Sequence, residues 1–203
     1  MKYQRSFTLL ETIVAIYVLL AGIVGSMNLA QQNIGAITLF RHQLIAANLA
    51  QEGAELVRSK RDSNYIRCYR DPACYDTANA PPDNPNREFM KGITGTGGCD
   101  SPFDCYVTDP RGDASGSLTF TQCPLGVCPY LQLDSAGFYQ YSSGPDTIFK
   151  RHIKVIERAT LRDPVYNLYN LHDWEVVSRV EWREKLVDKS VEVKDILTPN
   201  GAL

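Results

Sequence analysis

The sequence predicts an α+β protein: a long N-terminal helical spine packed on a small antiparallel β-sheet, with a loop-rich insertion stapled by disulfides. Three observations predict it. No charged residue occurs from Thr12 to Phe40. Apolar residues then recur at helical spacing as far as Val57. Late in the chain a two-residue alternation replaces that period.

The first six residues, ending at Ser6, form a short polar leader with Lys2 and Arg5. At Phe7 the chain turns apolar, and the 24 residues to Ala30 contain one charge, Glu11. A bilayer-spanning helix needs roughly 20 mostly apolar residues. The run is long enough to span, and the basic leader predicts a cytoplasmic start with an extracytoplasmic body. A secretory signal peptide has an apolar core of about 7–15 residues and a small-residue cleavage site. Here the run is longer, and Ala21, Gly22, Gly25 and Ser26 are embedded in continuing helical pattern.

Glu11 is costly in such a segment, because carboxylates in lipid ordinarily have a partner. The apolar run holds no cation, and Arg5 lies six residues back, beyond the Ser6–Phe7 junction. A cut before Phe7 would create an α-amino group four residues from Glu11. Such an amine has a pKa of about 7.7–8.0 and is largely cationic near neutral pH. It could neutralise this carboxylate or that of a neighbouring copy.

The run Ser6-Phe7-Thr8-Leu9-Leu10-Glu11 followed by an apolar helix resembles the prepilin cleavage and methylation motif of type IV pilins and type II secretion pseudopilins. The stretch Glu11 to Gly25 looks most like minor pilins of the pilus-modification type and minor pseudopilins. That family usually has Gly before the cut, where this chain has Ser6, also a small residue. The resemblance covers about the first 30 residues. It implies that a membrane prepilin peptidase cuts before Phe7 and methylates it. It also implies that Glu11 pairs with a neighbouring subunit's N-terminus during assembly.

The helix is expected from about residue 8 to about 60, or roughly 80 Å at 1.5 Å per residue. Ile34, Ile37, Phe40, Leu44, Ala47, Ala50, Ala54 and Val57 form an amphipathic stripe expected to pack on the body. Arg58, Lys60 and Arg61 suit a helix C-terminus, and Asp62-Ser63-Asn64 reads as the turn that ends it. The expected parts are a leader (1–6), a transmembrane and assembly half (7–30), an amphipathic half (31–62) and an extracytoplasmic globular domain (63–203).

Six cysteines, Cys68, Cys74, Cys99, Cys105, Cys123 and Cys128, form three close pairs with five, five and four intervening residues. An even count on an exported domain reads as disulfides, with zinc the competitor. Local pairing is expected, because short loops cost least to close. The cysteine-rich loops span 68–128, with a short strand near Leu118–Thr121. Beyond them Phe149–Glu157 is β-prone. Trp174, Val176, Ser178, Val180 and Trp182 alternate with Glu175, Val177, Arg179, Glu181 and Arg183. Val191 and Val193 alternate with Glu192 and Lys194. A sheet over about 149–197 with one buried face follows.

No catalytic set stands out. His42, His152 and His172 fall on a helix, a strand and a loop with no nucleophile motif beside them. Asp100, Asp104, Asp109 and Asp113 lack EF-hand spacing and read as solvated loop acids. Arg111-Gly112-Asp113 reads as a turn. Tyr130, Tyr139, Tyr141, Tyr166 and Tyr169 suit half-buried strand positions as well as an adhesive surface. A net charge of −2 gives no reason to expect a nucleic-acid partner. No metal, cofactor or enzymatic activity is expected.

The resemblance implies a structural subunit, a minor pilin or pseudopilin, of a type IV pilus or a type II secretion pseudopilus. Its implied partners are the prepilin peptidase, other pilin subunits, an inner-membrane assembly platform and, before assembly, membrane lipid. It would sit in the cytoplasmic membrane as a single-pass protein and then at the cell surface. The alternative is a signal-anchored extracytoplasmic adhesin or binding domain that does not polymerise.

Overall fold

No proline interrupts the chain between Thr8 and Arg70, and a single helix, α1 (Leu9–Arg70), forms there. The structure is a computed structural model that describes residues 8–70, 90–94, 98–111, 118–159 and 172–198. The helix runs about ten residues past the expected stop. Asp62 and Asn64 favour turns when their side chains bond to their own backbone. Here Asp62 Oδ1 is taken by Arg61, 2.7 Å away. The buried Asn64 donates Nδ2–H to the Lys91 carbonyl at 2.9 Å. With both side chains engaged elsewhere, the helix continues.

The chain divides into two compact units after Leu44. In the first, the large apolar side chains of α1 from Leu9 to Leu44 are exposed, with Leu39 half-buried. In the second, beginning at Ile45, α1 packs on an antiparallel sheet. The sheet comprises β1 (Cys105–Val107), β2 (Phe120–Gln122), β3 (Tyr130–Leu133), β4 (Tyr139–Gln140), β5 (Asp146–Ala159), β6 (His172–Glu184) and β7 (Val187–Leu197). The strands β5, β6 and β7 form a meander. On the other edge of β5, β1 pairs at Ile153 and β3 pairs from Lys150 to Asp146. Strand β2 flanks β1, and β4 flanks β3.

The expected alternation holds except at Glu175, which is buried on the opposite face and accepts from Arg158 Nε at 2.9 Å. Trp174, Val176, Ser178, Val180 and Trp182 are buried, while Val177, Arg179 and Glu181 on the opposite face are only partly covered. The helix covers that inner face with two apolar clusters. Ala46, Leu49 and Ala50 pack with Leu131, Phe149, Val180 and Trp182. Ala54, Leu56 and Val57 pack with Met90, Ile93, Ile153, Val155, Val176 and Leu197. Each fully buried large side chain contributes about 1.5–3 kcal/mol. The expected stripe is thus half used: Ala50, Ala54 and Val57 are buried, whereas Ile34, Ile37, Phe40 and Leu44 are exposed. Periodicity defines which face is apolar, not what covers it.

Candidate functional site

Thr8 and Glu11 are set by the start of α1. Thr8 precedes the first helical residue and caps it: the Glu11 amide donates to Thr8 Oγ1 at 3.4 Å and to the Thr8 carbonyl at 3.1 Å. Thr8-x-x-Glu11 has the spacing of a capping box, a signal legible in the sequence. Glu11 lies in the first helical turn, where the helix dipole favours an anion by about 0.3–1 kcal/mol. Placing an acid at the centre of a bilayer costs about 2.5–3.5 kcal/mol or more. The dipole term is thus smaller than the cost an acid would meet at a bilayer centre. Ser6 and Phe7 lie outside the described residues. The helix beyond them is long and apolar enough to cross a membrane.

The cysteine loops form the second candidate region. Cys99–Cys105 and Cys123–Cys128 are disulfides with Cα separations of 4.9 and 4.6 Å. The Cys74 position and the Cys68 side chain lie outside what is described. All four bonded cysteines are buried, and the loops are tied to the sheet by backbone. The Val155 amide donates to the Cys99 carbonyl at 2.8 Å, and the Ser101 amide to the Val155 carbonyl at 3.0 Å. The Cys123 amide donates to the Asp104 carbonyl at 2.8 Å, joining one disulfide loop to the other.

Asp104 sits among basic side chains. Its carboxylate is 3.1 Å from His152 Nδ1, 3.1 Å from Lys154 Nζ and 3.9 Å from Arg179 Nη2. Burial raises its pKa, but hydrogen bonds from His152 and Lys154 outweigh burial and hold the carboxyl below the usual carboxylate range. An Asp–His pair invites comparison with a catalytic relay. Yet the other ring nitrogen, Nε2, faces Glu181 at 3.4 Å rather than a hydroxyl or thiol. The cluster can anchor the cysteine loops electrostatically to β5 and β6.

The remaining candidates scatter. Asp109 accepts from the Arg111 amide at 2.9 Å and from its guanidinium at 3.3 Å, and these bonds hold its carboxyl low. Asp113 and Gly112 lie outside the described residues. Among the described residues no three His, Cys, Asp or Glu side chains are placed to hold a metal. Arg111 lies over the Phe138 ring and bonds Gln140. Tyr141 is partly buried, donates to the Arg151 carbonyl at 3.3 Å and has its phenol pKa pushed up by desolvation. Tyr139 packs edge-on against Phe149, and Tyr130 lies under Lys150. Tyr166 and Tyr169 lie outside the description. His42 is on α1, and His172 is the first residue of β6 rather than in a loop.

One charged group is fully buried. Arg151 on β5 is 0% exposed; its Nη1 donates to Glu52 Oε2 at 2.9 Å and to the Leu49 carbonyl at 3.4 Å. Its position between Phe149 and Ile153 in the alternating run was the available signal.

The fold and these regions define a class: an α+β protein with one N-terminal helix suited to crossing a membrane and a disulfide-bonded antiparallel-sheet body. Comparison with known protein families, curated proteins and solved structures finds no match.

Proposed function

We propose that the chain is a pilin-like structural subunit, a minor pilin or pseudopilin, processed before Phe7 and drawn from the membrane into a filament. The observation that carries the reading is Glu11: a carboxylate in the first turn of an apolar helix, with a dipole term smaller than the cost an acid would meet at a bilayer centre. The amine freed by cleavage before Phe7 supplies the missing counter-charge. The exposed apolar side chains of residues 9–44 support the same reading, since they need lipid first and neighbouring helices afterwards. The partners are a prepilin peptidase, other subunits of the filament and an inner-membrane assembly platform.

Glu11→Ala tests the pairing role. In cells carrying the assembly system, the variant should be processed as wild type yet be depleted at least tenfold from sheared filaments, measured by immunoblot. Equal incorporation of processed variant and wild type would remove the role given to Glu11.

A further inference from the structure

The turn between β6 and β7 presents apolar side chains. Leu186 is 84% exposed and Val187 is 52% exposed. Lys185 and Leu186 both hold positive φ, the geometry of a type I′ turn, which Asn-Gly would supply without strain. Exposed cations flank the apolar pair at Lys185 and Lys189. Of the nearby acids, Asp188 lies 3.5 Å from Arg183, and Glu184 is only half-exposed. We propose that Leu186 and Val187 insert into the anionic lipid surface of the membrane that α1 crosses, with Lys185 and Lys189 at its headgroups.

The place of the turn in the body carries the inference. Trp174 and Val176 share a cluster with Ala54 and Val57, whereas Val180 and Trp182 share the other with Ala46 and Leu49. Strand β6 therefore runs counter to α1, and its last residues lie at the end of the body where the helix enters. The turn begins three residues past Trp182, about 10 Å at 3.3 Å per residue. In sequence, only Arg41 to Leu44 separate the charge-free run ending at Phe40 from the body, which begins at Ile45. The helix that enters there is long and apolar enough to cross a membrane. Apolar side chains that reach a bilayer and cations that meet anionic headgroups both favour binding. Exposure alone would not single out this turn, because Leu125 is 103% exposed and also has a positive φ, 51°. Its loop is tied through the Cys123 amide to Asp104. Asp104 pairs with Lys154, whose partner on β6 is Val177. From Val177 to Glu184 is about 23 Å of strand, so Leu125 is far from the end where the helix enters. The inference rests on α1 crossing a membrane and not on filament assembly.

The test is methyl NMR of the full chain, one per nanodisc of phosphatidylcholine and phosphatidylglycerol. Ile, Leu and Val methyls are labelled, and a fraction of the lipid carries a nitroxide high on its acyl chain. Broadening of Ile23 on α1 checks that the helix crosses the bilayer. Leu186 and Val187 should lose at least half their intensity, while Leu125 and Val127 keep theirs. In phosphatidylcholine alone the loss at Leu186 should shrink at least twofold. Broadening at Ile23 with Leu186 no more affected than Leu125 would overturn the inference and leave the membrane-crossing helix standing. No broadening at Ile23 would remove both. An equal loss at Leu186 without phosphatidylglycerol would remove the part given to the lysines. A change at Leu186 seen only with two chains per disc, with or without nitroxide, would assign the turn to a second copy and overturn the lipid contact.

Discussion

Gly35 and Gly53 belong to one helix, yet an added methyl group would meet opposite surroundings at the two positions. At Gly35, as at Gly22 and Gly25, nothing lies within 4 Å. At Gly53 the sheet is already in the way. The difference holds along the two stretches. Residues 9–44 present apolar side chains outward, whereas those from Ala46 to Val57 bury theirs on the sheet. Equal helical character thus hides two kinds of demand: one stretch is fitted to a fixed surface, and the other to an environment the single chain does not supply.

Charge insertion should separate the stretches most sharply. Val57→Asp puts an unpaired carboxylate at a fully buried site. It should cost about 4 kcal/mol or more and abolish the thermal transition of the body, followed by near-ultraviolet circular dichroism. Ile23→Asp, at an exposed position, should leave that transition where it was. Equal loss in both variants would break the distinction.

Methyl insertion should give the next largest effect. Gly53→Ala should destabilise by about 1–3 kcal/mol through overpacking in chemical denaturation. Gly35→Ala should be neutral, or should favour the helix by up to about 1 kcal/mol.

The smallest effect contrasts two carboxylates. Glu11 has only the start of its helix as described company, whereas Asp104 has three basic side chains, His152, Lys154 and Arg179, within 4 Å. Because the folded-state pKa of Asp104 lies below its unfolded value of 3.8, the group stabilises the fold above that pH. The contribution is lost as pH falls through the lower, folded value. Asp104→Asn should therefore cost about 1–2 kcal/mol at neutral pH. The gap to wild type should close on acidification below about pH 4. A gap that persisted at pH 2 would show that the ionised carboxylate is not what matters there.

Local signals were readable from sequence, and distant pairings were not. The apolar run after Phe7, the alternation through Trp174 and Trp182, and two local cysteine pairs each lie within a short window. The end of α1 is not legible locally because the side chains of Asp62 and Asn64 are spent on neighbours, one of them Lys91, 27 residues beyond Asn64. The β6–β7 turn carries no Asn-Gly signal; Lys185 and Leu186 both adopt positive φ, 47° and 69°, a strained choice for such residues. Arg151 sat visibly on the inward side of its strand, but its partner Glu52 lies on the helix, with a contact no local pattern encodes.

The central claim, that α1 begins as a processed subunit helix, is tested most directly by the mass of the N-terminal peptide of protein extracted from native membranes. Compared with cells lacking prepilin peptidase, wild-type cells should yield a chain beginning at N-methylated Phe7. A chain that keeps Met1 in both strains, or begins downstream of Glu11, would contradict it.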